Sequence, residues 1–268
     1  MTVISSGTPK QENHKFVNQS VYVLHTYPFK ETSLVVEIFS QQFGRIAVVA
    51  KGARRPHSAM RGRLQSFQLL SGSWSGKNEL KTLHSLDWSA GLTLIKGEAL
   101  MCAFYVNELL LRLLPREDAH EDLFTYYMAT LNTLASSSNL AITLRRFELK
   151  MLQEMGYAVP LLNDNNDAPI LETGIYRYQA EQGASKMTNG SKVTDTSKLT
   201  NTSKINGALN NNNGIQLSGK TMLDIAHDDY ADATTQSQSK ALMRYLLAHY
   251  LGDKPLHTRQ LLIDLQGL

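Results

Sequence analysis

At Gly97 the apolar residues of this chain change their spacing, and few folds accommodate the change. Before that point come short runs rich in β-branched and aromatic residues: Val21–Tyr27, Ser33–Ser40, Gly44–Ala50, Phe67–Trp74 and Leu80–Asp87. Turn chemistry separates several of them, at Pro28, at Phe43-Gly44 and from Gly72 to Asn78. Five such runs in about 70 residues predict a small closed barrel, and their spacing also suits an SH3-like barrel. After Gly97 the period becomes helical. Ala99–Leu114 is apolar almost all round, which predicts a buried central helix ended by Pro115. Leu123, Phe124, Tyr127, Met128, Leu131 and Leu134 trace a second helix, with Asp118 a candidate cap. Leu140, Leu144, Phe147, Met151, Leu152 and Met155 trace a third, with Gly156 at its stop position. The expected fold class is α+β: a five-stranded barrel over residues 20–91, then a mainly helical domain over 92–268. Residues 1–19 are polar and predict a disordered tail.

Charge divides the chain at the same place. Residues 1–91 carry eleven Lys/Arg against five acids, a net of +6, while the remainder is net −3. Within the first part, the 41 residues from Ile38 to Asn78 contain no Asp or Glu at all. They hold Arg45, Lys51, Arg54, Arg55, Arg61, Arg63 and Lys77, most of them in the predicted loop 51–63. A core does not need such a segment. A polyanion binder does, because Lys and Arg near phosphates release condensed counterions without reading bases. Phe29, Phe43, Phe67 and Trp74 lie in or beside the window, and stacking rings next to cations suit single strands. Core packing is the competing reading for these rings, Phe43 and Phe67 above all.

Residues 163–217 differ from both parts. Ile175–Tyr178 reads as a short strand, and four hexapeptides follow from Ser185, Ser191, Ser197 and Ser203, with Asn210–Asn213 after them. These copies offer no continuous apolar column, so residues 183–217 predict a low-complexity insertion and not a stacked β-helix. Helical spacing returns at Thr221–Ala226 and Ser239–Leu251, and a last short helix is expected over Thr258–Leu265.

Few signals of chemistry appear. Gly214-Ile-Gln-Leu-Ser-Gly219-Lys220-Thr221 fits the phosphate-loop pattern letter for letter, but no apolar strand leads in and no later run ends in an Asp suited to magnesium. A nucleotide-binding protein using Gly219, Lys220 and Thr221 is the rival reading; a protein-only adaptor is a second. The eight histidines show no metal-ligand spacing, and His227-Asp228-Asp229 reads as a solvated loop. There is no G-x-S-x-G elbow and no carboxylate pair with a catalytic rationale, so nothing points to an enzyme. The single cysteine, Cys102, sits in an apolar helical pattern and reads as a buried structural thiol. The N-terminus lacks an apolar signal core and Ala99–Val106 is too short to span a bilayer, which predicts a cytoplasmic protein. On the third helix, Arg145 and Leu149 are i and i+4 neighbours beside Phe147. That patch suits an acidic peptide ending in a bulky apolar residue; an ion pair of Arg145 or Arg146 with Glu148 or Glu154 is the plainer reading.

The order of these features resembles the RecO recombination-mediator family. Phe43-Gly44-Arg45 followed by Val49-Ala50-Lys51-Gly52-Ala53-Arg54-Arg55 carries the resemblance first. Leu144-Arg145-Arg146-Phe147-Glu148-Leu149, closed by Gly156-Tyr157, carries it again. So does the run from Tyr250-Leu251-Gly252 through Lys254-Pro255-Leu256 to Arg259. The resemblance implies an N-terminal OB-fold and a C-terminal helical domain. It implies a non-enzymatic DNA-repair role in the cytoplasm, at the nucleoid: binding single-stranded and duplex DNA, annealing complementary strands, and helping RecA load with RecR. It also implies recognition of the acidic tail of the single-stranded-DNA-binding protein (SSB) by Arg145 and Leu149, with Arg112 and Arg116 assisting. On this view the DNA contacts are Arg45, Lys51, Arg54, Arg55, Arg61, Arg63, Lys77 and Trp74. Some members carry a four-cysteine zinc site; the corresponding Leu161–Pro169 stretch has no cysteine, so no metal and no cofactor are expected.

Overall fold

The computed structural model describes residues 14–89, 94–137, 139–157, 159–187, 214–252 and 256–258. The chain divides into two units. The first takes the chain up to Leu94 together with Leu114–Met128; the second takes Ile95–Leu113 and the chain from Ala129 onward.

The first unit is a barrel of β1 (Lys15–Phe29), β2 (Ser33–Ser40), β3 (Gly44–Ala50), β4 (Leu70–Ser75) and β5 (Leu80–Trp88), with a five-residue helix, α1 (Ala59–Arg63), between β3 and β4. The strands close in the order β1-β2-β3-β5-β4. Only the β3–β5 pairing is parallel, with Ala47 opposite Leu80 and Val49 opposite Thr82. This is an OB-like barrel and not an SH3-like one. Alternation explains it: Val21, Val23, Val36, Ile38, Ile46, Val48, Leu70, Trp74 and Leu86 point inward and form one buried cluster. Each such aliphatic side chain contributes roughly 1.5–3 kcal/mol by leaving water. The outward residues Tyr22 and Phe39 are buried against Phe124 and Tyr127, at ring-centroid distances of 5.0–6.1 Å.

β1 begins at Lys15, so residues 15–19 belong to a strand and not to the expected tail; residues 1–13 of that tail lie outside the described residues. Lys15 pairs with Ser75 and Phe16 with Trp74, and a bulge then shifts the register before Gln19. That bulge breaks the period-two signal, which is why a polar stretch hid a strand.

In the second unit α2 (Gly97–Leu113) and α4 (Leu140–Glu154) lie side by side, joined by a hydrogen bond of 2.6 Å from Tyr105 to Glu148. Between them in sequence, α3 (Glu121–Ser136) begins in the barrel unit and ends in this one. Asp118 is not its cap, since the helix starts three residues later. A small sheet, β7-β6-β8, uses β6 (Ile175–Gln179), β7 (Gly183–Lys186) and β8 (Ile215–Ser218). Both ends of the expected low-complexity insertion are therefore paired strands, and residues 188–213 lie outside the described residues. Two helices follow, α5 (Gly219–Ala226) and α6 (Ala233–Leu251), the second six residues longer than the apolar pattern suggested. Asp232 caps α6 by accepting from the amides of Thr234 and Thr235, a polar start that apolar periodicity does not register. The expected final helix falls almost wholly outside the described residues.

Candidate nucleic-acid interface

The barrel register sorts the basic residues into two groups. Because β3 and β5 run parallel, the C-terminal ends of β1, β3 and β5 share one end of the barrel with the start of β4. The segment 51–63 leaves β3 at that end. Its backbone descends through successive i to i+3 turns: Ala53 to Ala50, Arg55 to Gly52, Ser58 to Arg55 and Arg61 to Ser58. Ala53 is fully buried and plugs the barrel, so its neighbours Lys51, Arg54 and Arg55 are turned to solvent. Met60 and Leu64, at i and i+4, pack on the same core and leave Arg61 exposed. Arg54 is tied to the β1–β2 turn through its amide to Thr32 (2.9 Å) and its guanidinium to the Lys30 carbonyl (3.3 Å). Among the described residues, Lys51, Arg55 and Arg61 have no ion-pair partner. Arg63 does: its guanidinium meets Asp87 at 2.8 Å and the Leu86 carbonyl at 3.3 Å. The acids at this end are Glu31 and Asp87.

Sequence reading missed two residues here. Lys30, in the β1–β2 turn, is exposed and sits 5.4 Å from the Phe29 ring centroid. Trp88, the last residue of β5, is 43% exposed. An apolar residue following Asp87 carries no pattern of its own, so only the register reveals its position.

The other barrel end corrects three expectations. Trp74 is not a surface ring: it is fully buried, stacked on Phe16 at 5.5 Å with Phe43 edge-on at 5.9 Å. Arg45, expected at the DNA surface, has its guanidinium engaged within the barrel unit. Its Nε donates to the Leu114 carbonyl at 2.9 Å, its Nη1 lies 3.4 Å from Glu37, and burial pushes its pKa down. Arg116 does not lie on a helix face; it forms a bridge alongside Arg45 in the barrel unit and pairs with Glu37 and with Glu79. Glu37 is nearly sealed, with 4% of its side chain exposed, so two arginines are spent on one buried carboxylate. Lys81 is likewise buried against Glu117. Gly44 permits this closeness: with φ of +66°, a Cβ there would lie 1.8 Å from the Asp118 carbonyl oxygen. Lys77, in the β4–β5 turn, remains exposed at this end, a strand length away from segment 51–63.

The second unit holds the Arg145 patch. Arg145 Nη2 lies 2.7 Å from Glu148 Oε1, and Glu148 is fully buried with Oε2 lacking a hydrogen-bond partner among the described residues. Burial raises the pKa of Glu148, against the opposing pull of Arg145 and Tyr105. The hydrogen bond from Tyr105 to Glu148 ties α2 to α4 at this patch. Arg112 lies two turns beyond Tyr105 on the same helix, about 10 Å along its axis. It lies 3.9 Å from Glu108, which accepts from the amides of His257 and Thr258 and the Thr258 hydroxyl at 2.6–2.9 Å. Leu149 is half-buried beside this patch.

The phosphate-loop lettering has another explanation. Its four variable residues are β8 itself, paired with β6 and unable to loop around a phosphate. The Gly219 amide donates to Gly174 and the Lys220 amide to Glu172, at 2.8 and 3.0 Å. Lys220 Nζ is 2.6 Å from Asp224. A Cβ at Gly219 would sit 1.9 Å from the Leu171 carbonyl oxygen, so packing demands that glycine. The amides a nucleotide needs are already used.

The family model "Recombination protein O N terminal" matches residues 15–92, and "Recombination protein O C terminal" matches 96–260. The chain belongs to the RecO family. A DNA repair protein RecO of Nitrosospira multiformis is 49% identical over 251 residues, covering 93% of this chain and 96% of that protein. Those of Dechloromonas aromatica and Ralstonia nicotianae are 45% and 44% identical, covering 95% of this chain and 98% and 87% of their own lengths. The boundary between the two RecO family models, residues 92 to 96, falls where the barrel gives way to α2. Among the described residues of this RecO family chain, no group of three or more His, Cys, Asp and Glu is placed to hold a metal, and no helix is long and apolar enough to cross a membrane.

Proposed function

We propose that this chain is a non-enzymatic DNA repair and recombination mediator acting at the nucleoid. It binds single-stranded and duplex DNA through the barrel end that carries segment 51–63, anneals complementary strands, and with RecR helps RecA load onto strands covered by SSB. The observation that carries this reading is the row of exposed cations Lys51, Arg54, Arg55 and Arg61, turned outward by Ala53, Met60 and Leu64. Cations on a fixed backbone neutralise the phosphates of both strands, lower their mutual repulsion and let pairing proceed. Arg63 adds charge partly offset by Asp87, and Lys77 lies about 20 Å away, within reach of a strand of several nucleotides crossing the barrel. The acidic SSB tail docks on Arg145 and Leu149 of α4, with Glu148 fixing the guanidinium so that its outer N–H groups meet a carboxylate. Arg112, farther along α2, contributes separately.

The test is strand annealing of two complementary fluorescent oligonucleotides, bare and SSB-coated, with intact SSB and with SSB lacking its tail. The wild-type chain accelerates annealing of bare strands, and of coated strands only when the tail is present. A K51A/R55A/R61A variant loses most of both. Annealing untouched by the triple variant, or an R54E/R55E variant with unchanged DNA affinity, would overturn the reading in favour of a protein-only adaptor.

A further inference from the structure

The two tryptophans of this chain occupy opposite environments. Trp74 is sealed in the barrel, whereas Trp88 is 43% exposed at the end that carries Lys51, Arg54, Arg55, Arg61 and Arg63. An indole costs free energy to leave in water when a core is available, and the barrel core already holds one. The position is rigid, not frayed. Leu70 pairs with Trp88 across β4 and β5, and the next amide, Ser89, donates to the Leu69 carbonyl at 3.2 Å. The preceding residue, Asp87, holds Arg63 at 2.8 Å, and the Arg63 guanidinium also reaches the carbonyl of Leu86. A flat apolar ring on a fixed ladder thus lies one residue beyond the carboxylate that holds Arg63, at the barrel end where α1 carries both Arg61 and Arg63.

We infer that Trp88 is a base-stacking residue: it receives an unpaired base of single-stranded DNA while Arg61 and Arg63 hold the flanking phosphates. The inference rests on the DNA-binding reading above and deepens it by naming what separates single strands from duplexes. Backbone cations attract both. A π-face is offered to a side chain only by a base that is free of its own stack, so the ring adds affinity for single strands alone. Any base serves, and the preference is for strandedness, not sequence.

The experiment uses the full chain and fluorescent dT oligonucleotides, a matched duplex, and an abasic strand of equal length. Trp74 being sealed, quenching of intrinsic fluorescence by the dT strand reports Trp88. The expected results are quenching in the wild type that vanishes in W88F, and affinity for the dT strand about tenfold lower in W88A. W88F, which keeps a ring, retains most of the affinity. Duplex and abasic-strand affinities change less than about twofold in both variants, which also shows that they are folded. Unaltered dT binding by W88A, or an equal loss on dT, duplex and abasic strand, overturns the stacking role. A wild-type chain that binds none of the three would instead remove the DNA-binding reading itself.

Discussion

At the scale of single residues, affinity for a polyanion depends on which cations lack an internal partner. Composition marked seven Lys and Arg between Ile38 and Asn78 as one set. The fold divides them: Arg45 is consumed by Glu37 and the Leu114 carbonyl, Arg63 is partly offset by the exposed Asp87, and Lys51, Arg55 and Arg61 stay open. Alanine at any of the three open positions is expected to lower the magnitude of the log–log salt slope for single-strand binding by about 0.7, and R45A to leave it unchanged if the variant folds. Oligonucleotide titrations at several salt concentrations measure both. Cys102 offers a check on the helical unit. Burial raises its thiol pKa and Glu98 raises it further, so alkylation at pH 8 should be much slower in the native chain than in denaturant. Equal rates would place the thiol at the surface. Alternation and charge made the barrel core and the basic segment legible. Sequence could not distinguish a ring in the core from one on the surface at Trp74 and Trp88, because that choice depends on strand register.

At the scale of elements, two devices hold the segments that matter. Residues 114–118 are strapped along β3 by the Arg116–Glu37 and Lys81–Glu117 pairs and by the amide of Glu117 donating to the Arg45 carbonyl at 2.9 Å. Glu37→Ala leaves two arginines facing a buried gap, and a loss of about 3 kcal/mol is expected in denaturant unfolding. A loss below about 1 kcal/mol would mean the pairs are solvated. The strap was invisible in sequence because the helix pattern stops at Pro115 and an ion pair between residues 79 apart, Glu37 and Arg116, leaves no local pattern. On the other side of the barrel Tyr22 packs against Phe124 and Tyr127, and burial pushes its pKa from 10.0 up to about 12. A raised value in the folded state means stability is present below pH 10 and is lost as pH rises toward about 12. Tyr22→Phe should therefore flatten the alkaline limb of the stability profile; an unchanged limb would show that Tyr22 ionises freely. In the helical unit the sign is opposite for Glu108. Burial pushes its carboxyl up, but bonds from Thr258 and His257 more than offset this and leave the pKa below the usual range. Its contribution is present above the ordinary glutamate range and disappears as pH falls through the lowered value, a dependence that Glu108→Gln should abolish in acid titrations.

At the scale of the molecule, the change of hydrophobic period near Gly97 and the change of charge sign coincide with the border between the two RecO family models. On the proposed reading the barrel takes polyanions at the end that carries segment 51–63, while the helical unit carries α4 with its Arg145 patch. The central claim is that the barrel end bearing segment 51–63 engages sugar–phosphate chains through a fixed set of cations. The direct measurement is the affinity of the full chain for a fluorescent dT oligonucleotide across a range of salt concentrations. With about four phosphates engaged, log affinity should fall against log salt with a slope near −3, and the K51A/R55A/R61A variant should show a slope near −1. A flat response in the wild type, or a triple variant indistinguishable from it, would contradict the account.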